Sequence, residues 1–137
     1  MDLRVEKTRR SIINGFLELR ARKPLEKIRV RELCEKAQIN KSTFYDHYRD
    51  VYDLAEQLED EAIRSYLDIA HPEYVLTDVA GFVRELFASR LACERLLDIL
   101  FSGNRSGLLV EKLAAGLTEM VLEKYPDQRE NPVFRTV

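Results

Sequence analysis

The sequence predicts an all-α fold, on three observations. Apolar side chains recur at three- and four-residue intervals along most of the chain, from Ile12 to Val121. The breaks between these stretches fall at Pro24, Pro72, Gly103 and Pro126, residue types that stop helices. Between the first two breaks, residues 29–48 read as two short helices joined by a tight turn, the second one unusually polar.

The first helix is expected from about Glu6 or Thr8 to about Arg22, with Ile12, Ile13, Phe16, Leu17 and Leu19 on its apolar face. Arg9 and Arg10 near its start are either solvated or within reach of a DNA backbone. Pro24 holds Lys23 extended and ends the helix, and the connector that follows inserts Leu25 and Ile28 into a small core. Val30, Leu33, Cys34 and Ala37 then form one stripe of a support helix. After a turn at Gln38-Ile39, Asn40 is a good N-cap for a helix that starts at Lys41. Only Phe44 and Tyr48 of that helix face the core, which leaves Lys41, Ser42, Thr43, Tyr45, Asp46 and His47 outward. Such a surface suits phosphates and base edges, although the spacing alone also fits a helical hairpin that only packs.

A fourth helix of about 20 residues is expected from the N-cap Asp50 to His71-Pro72, with a stripe through Leu54, Leu58, Ala62, Tyr66 and Ile69. A fifth is expected from a cap at Thr77 or Asp78 to about Ser89, with Val79, Phe82, Val83, Leu86 and Phe87 inward. A sixth runs from about Leu91 through Leu96, Leu97, Leu100 and Phe101 to a stop at Gly103. A seventh spans about Ser106 to Tyr125, burying Leu109, Leu113, Leu117, Met120 and Val121. Asn131-Pro132 has the form of another helix start, with Val133, Phe134 and Val137 beginning a stripe.

With 137 residues, 45% of them hydrophobic and 34% charged, the chain can bury a proper core, which argues against disorder. The expected organisation is a three-helix head over residues 1–48 packed on a helical unit over residues 49–137. The net charge of −2 hides an asymmetry. Residues 1–50 hold 13 Lys+Arg against 8 Asp+Glu, whereas residues 51–137 hold 9 against 16. A basic head suits a nucleic acid, and an acidic remainder would turn that head towards it; ordinary solvated helix faces would show the same split. No stretch has the length and apolarity of a membrane span and no apolar signal core follows the N-terminus, so a cytoplasmic location is expected. Cys34 and Cys93 both lie in apolar helical patterns and are expected as reduced core residues.

The chemistry of an enzyme is missing. The two histidines, His47 and His71, have no metal-ligand cluster at the right spacing, and there is no glycine-rich phosphate loop or G-x-S-x-G elbow. No metal and no cofactor are expected.

The order of residues in the helical pair, Lys41, Thr43, Phe44, Tyr45, His47 and Tyr48 after an Ala-closed support helix, resembles the DNA-binding signature of the TetR family of bacterial regulators. The likeness extends over Thr8 to Leu19 and Arg49 to Leu58, and beyond about residue 60 it is one of architecture only. It implies a helix-turn-helix over residues 29–48 and a DNA-contacting set of Arg29, Lys41, Ser42, Thr43, Tyr45, His47, Tyr48 and Arg49. It also implies a homodimer on a palindromic double-stranded operator, acting as a ligand-responsive repressor. A small hydrophobic effector would sit in the second unit among Tyr66, Phe82, Phe87, Phe101, Leu117 and Met120, residues whose spacing equally fits plain core. Three positions depart from the family pattern: Arg29 replaces a neutral cap, Gln38 a turn glycine, and Val51 a phosphate-contacting lysine. They support an alternative, a protein-interaction module of the same fold that does not bind an operator. Because the family continues into two further long helices that build its dimer, those last two helices are expected to be missing here.

Overall fold

The organising element is one long helix with apolar residues on two adjoining faces. In the computed structural model, which describes residues 2–70, 77–124 and 126, α4 (Val51–Ala70) runs through the middle of an all-helical arrangement. Val51, Leu54, Ala55, Leu58, Ala62, Ile63, Tyr66 and Leu67 are all buried along it. A stripe at i, i+3, i+4, i+7 spacing is wide enough to serve neighbours on both sides. The head, formed by α1 (Leu3–Arg20), α2 (Val30–Ala37) and α3 (Lys41–His47), precedes α4 in the chain, and α5 (Val79–Ala92), α6 (Glu94–Leu100) and α7 (Ser106–Lys124) pack against it. One continuous core runs from Ile12 and Phe16, under Leu33 and Phe44, along α4 to Leu97, Leu100 and Phe101.

Most helix limits follow the local chemistry read from the sequence, with differences at three ends. α1 starts at Leu3, ahead of the expected Glu6 or Thr8, because the Asp2 side chain accepts the Arg4 N–H at 2.9 Å. That first turn is held by its cap and not by burial, since Leu3 is 84% exposed. The helix closes at Arg20, short of Arg22, with the Ala21, Arg22 and Lys23 N–H groups bonding back to Leu17 and Leu19. A 3₁₀ turn over Leu25–Lys27 then buries Leu25 and Ile28 as expected. The predicted Leu91 start of α6 is wrong: Leu91 belongs to α5 and is exposed, and the break falls at Cys93.

The register of α5 is the larger correction. Val79, Val83 and Phe87, expected inward, are exposed, whereas Phe82 and Ser89 are buried and Leu86 half-buried. The helix had two candidate faces because apolar residues occur on both. Tyr66 selects between them, since its hydroxyl donates to the Leu86 carbonyl at 2.9 Å and turns the Phe82/Leu86/Ser89 side onto α4.

α7 lies close on α4 at Gly116, where a Cβ would come within 3.0 Å of Leu67 and 3.3 Å of Ile63. Val121 is buried and Leu109, Leu113, Leu117 and Met120 pack against the core, as the stripe requires. α6 ends at Leu100, ahead of the stop expected at Gly103: Ser102 is extended, and Gly103, at φ +64, opens the 3₁₀ turn Gly103–Arg105. Cys34 and Cys93 are both free, and burial pushes the Cys34 thiol up. Ile69 is in α4 but its side chain, like His71-Pro72 and the apolar residues after Asn131, lies outside the described residues.

The turn between α6 and α7 is tied to α4 by a buried ion pair. Glu59 is fully buried, and Arg105 donates to it twice, Nε to Oε2 at 2.5 Å and Nη2 to Oε1 at 2.7 Å. Lys112 stands 4.0 Å from the same carboxylate and 2.6 Å from Asp60. Next to this pair Arg20, itself buried, donates to the Ser102 hydroxyl and carbonyl, both at 2.9 Å. Arg105→Ala should therefore destabilise the chain by about 3 kcal/mol, because it strands a buried carboxylate, while a Glu59→Leu/Arg105→Leu double change should lie close to wild type. Urea denaturation followed by circular dichroism checks both, and an equally damaged double variant would mean that packing, not charge, sets the loss.

Candidate nucleic-acid interface

The helical pair at residues 29–48 folds as its local chemistry dictates. α2 spans Val30–Ala37 with Leu33 and Cys34 buried, and Arg29 at its start makes no side-chain cap. The chain leaves α2 through Gln38 at φ 59, ψ 47, the left-handed region that favours glycine. The strain is offset by the closure it allows: the Ile39 N–H reaches the Cys34 carbonyl at 3.0 Å and the Gln38 N–H reaches Glu35 at 3.3 Å. A Lys23–Glu32 pair at 2.6 Å and a Lys36–Glu18 pair at 3.0 Å fasten α2 to the connector and to α1.

Asn40 then starts α3 by accepting three donors on one oxygen. The Thr43 N–H, the Thr43 hydroxyl and the Ser42 hydroxyl each lie 2.8 Å from Asn40 Oδ1. Both hydroxyls thus donate within the cap, and each oxygen keeps the capacity to accept a further bond. Beneath them Phe44 is fully buried and stacks edge-on with Tyr45 at 5.3 Å, while the outer residues Lys41, Ser42, Tyr45 and Asp46 are exposed and Thr43 and His47 half-buried.

Two of the cations expected near a nucleic acid are placed differently. Arg9 is engaged by Glu61 of α4 at 2.6 Å, which leaves Arg10 as the exposed arginine of that pair. Arg49 is 87% exposed, its guanidinium 3.6 Å from Asp53. Arg29 and Lys41 are exposed and carry no ion pair among the described residues. Tyr48 is the one residue of the expected contact set that the fold removes from the surface: it is buried as the C-cap of α3, and that burial pushes its phenol pKa up, with the Arg9 guanidinium acting the other way. Its role is to hold α3 on the core.

α4 begins with a reciprocal cap. Asp50 accepts the Asp53 N–H at 2.7 Å, and Asp53 accepts the Arg49 N–H at 2.9 Å. The Arg49 N–H bond, followed by Gln57, lowers the Asp53 pKa. A carboxylate so lowered contributes fully above its unfolded pKa, and the contribution is lost as pH falls through the folded one.

The six residues expected around an effector do not all lie on one inner surface. Tyr66, Phe82 and Phe101 are buried in packing, Leu117 and Met120 are half-buried on α7, and Phe87 is 70% exposed. Met120 instead lines an open cleft between α4 and α7 with charged walls, Asp60, Arg64, Lys112 and Glu119 among them. Aromatic residues at helical spacing are also the ordinary material of a core, and Phe87 falls on the outer face of α5. Among the described residues no group of three or more His, Cys, Asp or Glu is arranged to hold a metal, and no helix is long and apolar enough to cross a membrane.

Compared with known proteins, the chain matches no family model and no solved structure.

Asn40→Ala should cost about 1 kcal/mol in unfolding free energy and also release Ser42 and Thr43, so that NMR shifts along α3 change more than those of α2. Acidification below about pH 4 should lower the hydrogen-exchange protection of the Arg49 amide before that of α4's interior; uniform loss along the helix would show that Asp53 does not govern this end.

Proposed function

We propose that this chain is a sequence-specific DNA-binding regulator of the TetR type, most simply a repressor, whose residues 1–48 read a palindromic operator as part of a homodimer. The observation that carries the reading is the division of α3. Phe44 and Tyr48 are its buried side, and a contiguous polar surface of Lys41, Ser42, Thr43, Tyr45 and His47 is left on a short helix held by a left-handed turn. The motif's residue order and the net positive charge of residues 1–50 support it further.

In this reading α3 lies in the major groove. Ser42 and Thr43, whose oxygens keep the capacity to accept, take bonds from the amino groups of adenine or cytosine, while Lys41, Tyr45, His47, Arg29 and Arg49 meet phosphates. One head is a small basic surface, so two heads about one helical turn of DNA apart supply the affinity. α4, which carries Asp53 at the head and Tyr66 at the far end, is the natural lever between the head and any effector.

Fluorescence anisotropy on DNA from upstream of the chain's own gene, with a salt series and unrelated competitor, tests the reading. Competitor-resistant binding whose log K falls by about 0.9 per neutralised phosphate is expected. Tyr45→Phe should weaken binding to all sequences alike, and Thr43→Ala should change base preference; exchanged outcomes would reverse the two roles. Weak, sequence-blind binding would favour the alternative of a protein-interaction module.

A further inference from the structure

We propose that a groove at the junction of α1, α4 and α6 binds a small amphipathic anion, a medium-length alkyl or aryl carboxylate, with its apolar body between the helices and its carboxylate at Arg22 and Arg95. The proposal does not depend on DNA binding.

The inner part is a cleft of about 250 Å³ walled by Ile13, Leu58, Ala62, Leu97 and Leu100. Across Leu17, Cys93 and Leu96, which line both, it adjoins a more open groove of about 700 Å³ floored by Ala21 and Ile99. Apart from Ser65 and the charged groups at the two ends the walls are apolar, and Leu96 is 39% exposed there. Clefts of this kind favour an apolar ligand with a few convergent polar contacts.

The charges around the groove decide what kind of ligand. Glu61 lines the inner end, but its carboxylate is held by Arg9 at 2.6 Å; Glu18 lines the outer end, but Lys36 holds it at 3.0 Å. The other two charged groups on the outer groove are Arg22 and Arg95, both exposed and neither ion-paired among the described residues. The acids are therefore neutralised and the cations are not. An apolar trough ending in two uncompensated guanidinium groups is complementary to a molecule with a hydrocarbon body and one anionic end.

The cleft differs in kind from the α4–α7 cleft around Met120, whose walls mix acids and bases. It also shares no residue with the set Tyr66, Phe82 and Phe101, which is buried elsewhere.

Isothermal titration of the full chain with sodium decanoate, below its micelle concentration and without DNA, tests the site, with decanol as the neutral counterpart. One saturable decanoate site is expected, weakened roughly ten-fold or more by Arg22→Gln/Arg95→Gln, with decanol binding unchanged by that variant. Both arginines are exposed, so the variant should fold as wild type, which its melting curve verifies. Ala21→Phe, also at an exposed position, should weaken both ligands by filling the outer groove. Absence of saturable decanoate binding, decanoate binding indifferent to loss of both arginines, or decanol binding as tightly as decanoate to the wild type would overturn the assignment.

Discussion

One buried charge, the Glu59 carboxylate, ties the α6–α7 turn to α4. It sits at the middle of α4 with no exposure to solvent and is compensated by a two-pronged Arg105. Desolvating such a pair is expensive, so the arrangement survives only because both carboxylate oxygens are satisfied. The pair also raises the Arg105 pKa, through its hydrogen bonds to Glu59 first, while the Arg20 pKa is lowered by burial and by the nearby Arg105. Charge is therefore concentrated where α1 ends, α4 passes and the α6–α7 turn returns. That focus fixes the position of Ser102, and with it the point at which α1 meets the α6 end.

The head is built by a different logic, of caps and turns rather than buried charge. Its helices α2 and α3 have only 8 and 7 residues, too short to persist alone. They persist because Gln38 closes the end of α2, Asn40 caps the start of α3, and Phe44, Leu33 and Phe16 are packed without exposure. The polar outer face of α3 is thus mounted on a packed base, with Ser42 and Thr43 organised by Asn40 and Tyr45 set edge-on against Phe44.

How much of this could be read in the sequence depended on range. Features fixed within four residues were legible: the Asn40 and Asp50 caps, the Phe44/Tyr48 inner face and the all-helical class. The only sign of the left-handed Gln38 was the resemblance, in which a glycine stands at that turn. Features fixed by distant partners were not legible. Arg9 and Glu61 are 52 residues apart, and Arg105 and Glu59 are 46 apart, with nothing local to announce either pair. The face of α5 was misjudged because its own pattern is ambiguous and the deciding group, the Tyr66 hydroxyl, lies on another helix. The expected contact set failed at Tyr48 for a simpler reason: one aromatic cannot both anchor α3 and stand on its surface.

The continuity of the core has a consequence for how such a chain is inherited. Val51, Leu54 and Ala55 close the same apolar interior that Phe16, Leu33 and Phe44 begin, so a cut after Tyr48 runs through the interior rather than between two bodies. A head moved by recombination onto another scaffold would have to take the first turns of α4 with it, or find equivalent side chains there. Exchange of such heads is then favoured among proteins that share this helix and disfavoured elsewhere, and the joint tolerated by shuffling lies inside α4 rather than at the end of α3.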